Sequence, residues 1–198
     1  MATSIIEICN SALQGLKRER IMALTDNSEE ANLCNQIWPG VRDMVLACHP
    51  WNSAMTLAQL QQSATAPAWK WDFAYPLPAD CLRVFEVVGI DQMAVADWEI
   101  QGRDILCDED APVYISYARR EEDPQKYDPG LCEVLIAALQ ARLAYPLTAS
   151  VTAQQAAETL YQNRLRDARG IDARQGSAVK PIVESTWLRA KLGSRNIG

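Results

Sequence analysis

Histidine is almost missing from this sequence, because the 198 residues include only His49. A Ser-His-Asp or Cys-His arrangement would have to use this one imidazole, which lies at a predicted helix end next to Pro50. The chain also lacks the GxxxxGK[ST] and GxGxxG motifs that cradle nucleotide phosphates. These absences predict that the protein is not an enzyme and needs no cofactor. A small hydrolase that uses His49 with a cysteine is the catalytic alternative.

Long apolar runs and paired cysteines are missing as well. No stretch reaches the roughly 18–20 uninterrupted apolar residues of a membrane span, and the N-terminal segment already includes Glu7. We therefore expect no signal peptide, no anchor and no membrane contact. No CxxC pair or zinc-site spacing occurs. The cysteines are predicted to be reduced, buried small side chains: Cys9, Cys34, Cys48, Cys81, Cys107 and Cys132.

Basic charge is scarce except near the C-terminus. The net charge is −6, but residues 1–161 hold 11 Lys/Arg against 22 Asp/Glu, whereas residues 162–198 hold 8 against 3. Nucleic-acid-binding proteins usually present a basic face to the phosphate backbone. The acidic body is therefore a poor DNA-binding surface, and the basic tail is the segment that stands apart.

Apolar residues at helical spacing predict two helices before residue 55. The first covers residues 4–16, and the second is capped by Ser28 and carries an apolar stripe to residue 48. Pro39-Gly40 lies inside this stripe, where proline removes an amide donor and clashes with the preceding turn. The sequence leaves a kink and a restart of the helix equally open.

Residues 56–117 have the character of a β region, with short apolar runs between Pro, Gly and Asp. Strands are predicted at 82–88, 98–100, 105–107 and 113–117, with a hairpin around Gly102. The count is four or five, and the short links make the strands antiparallel. Four aromatic residues stand at every second position, as on one face of a strand, and favour a packed sheet or subunit contact over base stacking: Trp69, Trp71, Phe73 and Tyr75.

Helical spacing returns after residue 120. Asp128-Pro129 predicts the start of a third helix that ends at Tyr145-Pro146. Thr152 fits the capping box of a fourth helix that stops at Gly170. The predicted fold class is therefore α+β: an antiparallel helical bundle with an inserted small antiparallel β-domain and an extended C-terminal tail. The segments are the N-terminal helices (1–55), the β-domain (56–120), the C-terminal helices (121–170) and the tail (171–198).

The order of these features resembles the head-to-tail adaptor (connector) family of tailed bacteriophages, of the tail tubular protein A type. The resemblance covers roughly residues 4–170, and its most specific part is Tyr75-x-Leu77-Pro78-x-Asp80-Cys81-Leu82-Arg83-Val84, which follows Trp51. It implies a structural virion protein that assembles in the host cytoplasm into a ring, usually of twelve copies, in the neck. The implied partners are the portal protein above and the tail or nozzle protein below, with genomic DNA passing through without specific binding.

The resemblance gives roles to two groups of residues. An acidic stretch is expected to face the channel and repel DNA phosphates, although a solvated acidic face is the simpler alternative and the spacing of a calcium loop is lacking. It consists of Asp97, Glu99, Asp104, Asp108, Glu109 and Asp110. The tail is expected to dock on the portal, with two apolar anchors and one directional cation. Its docking residues are Pro181, Ile182, Val183, Trp187, Leu188, Arg189 and Lys191.

A second function stays open from the residues alone, namely a DNA-handling packaging module whose basic tail holds nucleic acid. Such binding depends strongly on salt, because cationic side chains displace counterions from the phosphates. Salt-dependent DNA binding that disappears when residues 171–198 are deleted would favour this function over the adaptor.

We predict that Trp187→Ala weakens docking on the portal and leaves the fold intact. The reason is that Trp187 is an isolated apolar anchor in a segment with too few apolar residues to form a core. Binding to purified portal rings and thermal melting by circular dichroism measure the two effects. A sharp drop in the melting temperature would instead make the tail part of the fold.

Overall fold

A computed structural model of the chain describes residues 4–174. Within this range the fold is α+β, as predicted from the sequence, with four helices and six strands. In chain order the elements are α1 (Ile5–Gly15), α2 (Glu29–Cys48), β1 (Met55–Leu60), β2 (Phe73–Pro76), β3 (Cys81–Val88), β4 (Glu99–Gln101), β5 (Asp104–Cys107), β6 (Val113–Arg119), a 3-10 turn (Pro124–Lys126), α3 (Pro129–Thr148) and α4 (Val151–Asp172).

Each helix begins at a polar side chain that satisfies an otherwise unpaired amide of the first turn. Ser4 forms a full capping box with Glu7, and Ser28 accepts from the Ala31 amide at 3.2 Å. Asp128 and Ser150 cap α3 and α4 in the same way. The predicted starts of the first three helices are therefore confirmed. The fourth helix is capped by Ser150, two residues before the predicted cap Thr152.

Two prolines lie inside helices instead of ending them. α2 continues through Pro39 without a restart, and α3 continues through Pro146 to Thr148, so the predicted end at Tyr145-Pro146 is wrong. Both prolines are on exposed positions, where a carbonyl left without its helical partner can reach water. The last turn of α3 is held by buried Leu147 and closes at Ala149, which has a φ of 50°.

The helical core is organised around α3, against which α1, α2 and α4 all pack. Among the described helices, α3 is the one long and apolar enough to cross a membrane, but much of its surface is buried in this core. Leucines dominate the contact because unbranched helix formers pack well at 3.6-residue spacing. The largest fully buried side chains here are Trp51, Ile8, Leu13, Val45, Leu46, Leu131, Leu135, Leu139 and Leu143.

The β-domain consists of two three-stranded antiparallel sheets, ordered β1-β6-β3 and β2-β5-β4. Their inward residues form a second core that includes Tyr75, Val87, Ile105 and Ile115. The predicted hairpin is confirmed, with Gly102 at a φ of 62° between β4 and β5. The predicted count of four or five strands is too low by at least one, since β1 was not recognised.

The alternating aromatic residues do not share one strand face. Lys70 has a φ of 77°, which turns the backbone, and β2 begins only at Phe73. Tyr75 is fully buried, whereas Trp69 is 79% exposed. The prediction of a single aromatic face is therefore wrong, because the run spans a turn as well as a strand.

The chain crosses between the two cores twice, and the crossings lie side by side. In the first, Trp51 is fully buried and its Nε1 donates to the Val45 carbonyl at 2.8 Å. The Arg119 amide of the second crossing donates to the Ala54 carbonyl of the first at 3.0 Å. Ser53 also donates to the Asp128 carboxylate at 3.0 Å. The β-domain is thus an insertion between the helix pairs, attached at one double junction.

A buried carboxylate stabilises the second crossing. Glu121 is only 5% exposed and contacts Arg119, Lys126 and the Asp123 amide. Burial opposes its ionised form, but the hydrogen bonds from Asp123 and Lys126 and the charge of Arg119 outweigh it and lower the pKa of Glu121. The connection between β6 and α3 is therefore a satisfied polar network.

We predict that Trp51→Phe lowers the free energy of unfolding by about 1–3 kcal/mol, because it removes the indole donor and leaves a small void. Urea denaturation followed by circular dichroism measures the change. Trp69→Phe is the matched control and should change stability by less than about 0.5 kcal/mol, since Trp69 is mostly exposed. Equal effects of the two substitutions would contradict the anchoring role of Trp51.

Candidate functional site

The predicted docking residues of the tail, from Pro181 to Lys191, lie outside the described residues. The structure does place the point from which the tail departs. α4 passes the predicted stop at Gly170 and ends at Asp172, two residues before the last described residue, Arg174. We call the residues around this end the tail root: Cys48, His49, Trp51, Asn52, Arg169 and Asp172.

Asp172 is the centre of the tail root. Its side chain is buried, with the residue 5% exposed, at the C-terminal end of a helix, where the helix dipole disfavours an acid. Its Oδ1 accepts from the Asn52 amide at 3.2 Å and from Asn52 Nδ2 at 3.0 Å. Its Oδ2 lies 3.0 Å from His49 Nε2. These contacts offset the burial of the carboxylate and fasten α4 to the first crossing.

Two further contacts join the ends of α2 and α4. Arg169 donates to the Cys48 carbonyl at 3.0 Å, and the imidazole of His49 meets the Trp51 ring edge-on with centroids 4.7 Å apart. The His49 ring is therefore held between a carboxylate and an indole. The last described turn of α4 is consequently fastened next to Asn52, three residues before β1.

The geometry around His49 differs from that of a nucleophile and its base. The His49 ring contacts the Asp172 carboxylate and the Trp51 indole. Cys9 and Cys34 contact each other in the helical core, where the hydrogen bond between the thiols and burial raise the pKa of Cys9. Both cysteines belong to this core and contact each other instead of a histidine.

The prediction that all the cysteines are buried is only partly right. Cys9, Cys34, Cys81 and Cys107 are buried thiols, whereas Cys48 and Cys132 are half-buried. The difference arises because Cys48 ends α2 at the tail root, outside the centre of the core.

The acidic stretch is divided by the hairpin. Asp104 begins β5 opposite Gln101, whereas Asp108, Glu109 and Asp110 follow the other end of that strand. Asp97 and Glu99 lie near this second end, since Glu99 pairs with Leu106. The structure therefore brings five of the six candidates to one end of the sheet and leaves Asp104 at the other.

Some of these carboxylates already have partners. Glu99 lies 2.6 Å from Lys70 Nζ, and this hydrogen bond, with that from Trp71 Nε1, lowers the pKa of the exposed Glu99 carboxyl. Asp108 accepts from the Asp72 amide at 2.9 Å. No group of three or more His, Cys, Asp or Glu in the described chain has metal-binding geometry. These residues form a partly paired acidic surface.

The sequence matches no protein-family model, and no curated protein matches it. The residues that the sequence interpretation missed are Asp172 and Asn52, since nothing in their local pattern indicates that an acid would be buried here against an exposed asparagine. The only sequence signal was a continuation of helical spacing past Gly170, with Asp172 in phase with Leu165 and Ala168.

We predict that Asp172→Ala lowers the free energy of unfolding by about 1–3 kcal/mol, because the Asn52 donors lose their acceptor. Asp172→Asn keeps one acceptor oxygen and should cost less. Asp167→Ala, on the exposed face of the same helix, is the matched control and should have almost no effect. Urea midpoints measure all three variants. If Asp167→Ala were as destabilising as Asp172→Ala, the stabilising role of Asp172 in the tail root would be contradicted.

Proposed function

We propose that this protein is a structural head-to-tail adaptor of a tailed bacteriophage, with no enzymatic activity and no cofactor. Copies of the chain form a ring, of twelve subunits in the family it resembles, below the portal. The ring receives the tail or nozzle protein and leaves a channel for genomic DNA, which passes without specific binding. The protein belongs to the virion neck and is in the host cytoplasm during assembly.

The observation that carries this proposal is the insertion of the β-domain between two helix pairs. The adaptor resemblance implies a helical bundle with such an insertion, and α1–α2, the β strands and α3–α4 follow that order. At the double junction the Arg119 amide donates to the Ala54 carbonyl, so the two crossings between bundle and β-domain are bonded to each other. This order of elements supports the resemblance to the adaptor family. The support rests on architecture alone and not on a catalytic motif.

Ring formation requires two unlike faces on each subunit, because head-to-tail contacts join one surface to a different one. Large apolar side chains are exposed on separate parts of the molecule. Val151 and Ile171 are exposed on α4, at opposite ends of the helix, and Trp69 and Ile100 are exposed in the β-domain. These residues give different elements of the subunit apolar surface that head-to-tail contacts could use.

The tail has the length and charge for a docking arm. Residues 175–198 hold four Lys/Arg and one acid, and 24 residues extend to about 80 Å at most. The tail follows the tail root, where Asp172 is hydrogen-bonded to Asn52, so this length is counted from a position that the body holds. A short apolar cluster next to cations suits a pocket that carries carboxylates.

The basic tail also supports the second candidate function, a DNA-handling packaging module. The two functions differ in what the tail must recognise. Portal docking depends on particular side chains, whereas non-specific DNA binding depends mainly on the number of cations. Charge reversals at different positions of the tail therefore separate them.

We predict that Arg189→Glu weakens binding to the portal protein of the same virion at least tenfold. Arg195→Glu makes the same charge change outside the predicted docking residues and should stay within about twofold of the wild type. Mass photometry of portal rings titrated with each full-length variant gives both affinities. Equal losses for the two variants, together with equal losses of salt-dependent duplex DNA binding, would favour the packaging module. Failure of the wild type to bind portal would overturn the adaptor.

A further inference from the structure

The first strand of the β-domain has an open edge with none of the usual protection. Within residues 4–174, β6 is the one strand paired with β1, so the other side of β1 is free. Exposed edges are normally blocked by charged residues, proline or a bulge. β1 reads Met-Thr-Leu-Ala-Gln-Leu, without any of these, and pairs with β6 in unbroken register.

The register shows which backbone groups face this edge. The Arg119 amide donates to the Ala54 carbonyl, and bonded and non-bonded pairs alternate along an antiparallel ladder. Residues 56, 58 and 60 therefore exchange hydrogen bonds with β6. Leu57 and Gln59 direct their N–H and C=O groups away from β6, to the open edge.

An apolar groove lies beside the same edge, on the outer face of the β1-β6-β3 sheet. Two cross-strand rows form it: Leu57 with Ser116 and Glu86, and Gln59 with Tyr114 and Val88. The groove encloses about 380 Å³, and Leu57 is 81% exposed. Leu57 therefore presents apolar surface at this edge that no described residue covers.

The tail begins next to this strand. Asp172 is bonded to Asn52, which precedes β1 by only three residues. From Arg174 to Ile182 the chain spans at most about 27 Å, and from Asn52 to Leu57 at most about 17 Å. The apolar part of the tail therefore reaches the edge without being taut.

The composition of the tail fits an added strand. Residues 182–188 read Ile-Val-Glu-Ser-Thr-Trp-Leu, with no glycine and no proline, and are rich in types that favour strands. Pro181 stands immediately before them, where a strand tolerates proline. In an extended run, one face carries Ile182 and Leu188 at its two ends, and the opposite face carries Val183 and Trp187. Lys180 and Arg189 flank it, and Glu86 in the groove has no ion pair with the described residues.

We infer that residues 182–188 pair with the open edge of β1 in the unassembled chain, as a fourth strand beside Leu57 and Gln59. Main-chain hydrogen bonds to these two residues supply the pairing, and apolar side chains of the tail cover the groove. This pairing concerns the free protein and holds whether or not the protein is an adaptor.

The test is amide hydrogen exchange by NMR on full-length protein without any partner. The double substitution Val183→Pro/Glu184→Pro removes two successive donors, one of which faces β1 in either register. Ser194→Pro/Arg195→Pro is the matched control in the last residues of the tail. We predict that the Leu57 and Gln59 amides are protected in the wild type, exchange at least tenfold faster in the first variant and stay protected in the second.

Unprotected Leu57 and Gln59 amides in the wild type would overturn the pairing. Protection that survives Val183→Pro/Glu184→Pro would also overturn it, because another segment or a second β1 then covers the edge. Exchange rates that change with protein concentration would replace pairing within the chain by pairing with the tail of another copy. The Leu139 amide, in the core of α3, reports whether each variant keeps its fold.

Discussion

The carboxylate of Asp172 is the constraint on which the arrangement of this molecule depends. A buried acid at a helix C-terminus is unfavourable unless donors surround it, and Asn52 and His49 supply the donors. The same contacts fix the end of α4 against the first crossing, where buried Trp51 packs into the helical core. One polar cluster therefore ties the end of the last helix to the segment that leads into the β-domain.

This arrangement divides the proposed work between a body and a tail. In this proposal the exposed apolar residues of the body make the ring contacts, and its partly paired acidic surface repels DNA phosphates. The tail starts beside the open edge of β1, and the proposed strand pairing and portal docking both use Ile182, Val183, Trp187 and Leu188. The two states exclude each other, so docking would release the strand and leave Leu57 available to a neighbouring subunit.

The helices were largely predictable from the sequence because capping residues and 3.6-residue spacing act locally. The helix ends were not predictable, because Pro146 and Gly170 are ordinary stop signals. Tertiary contacts of buried Leu147 extend α3 past Pro146, and those of buried Asp172 extend α4 past Gly170. β1 escaped recognition because exposed Leu57 breaks the alternation of apolar and polar residues that marks a half-buried strand. The acidic stretch was recognisable from its density of carboxylates. That Asp104 lies at the opposite end of the sheet from the other five depends on the β4–β5 register, which the composition does not reveal.

Electron microscopy of portal rings mixed with this protein tests the adaptor function most directly. The proposed function predicts an additional closed ring, coaxial with the portal and docked on one end of it, with an open channel along the axis. Portal rings that stay bare at saturating concentrations of the full-length protein would contradict it.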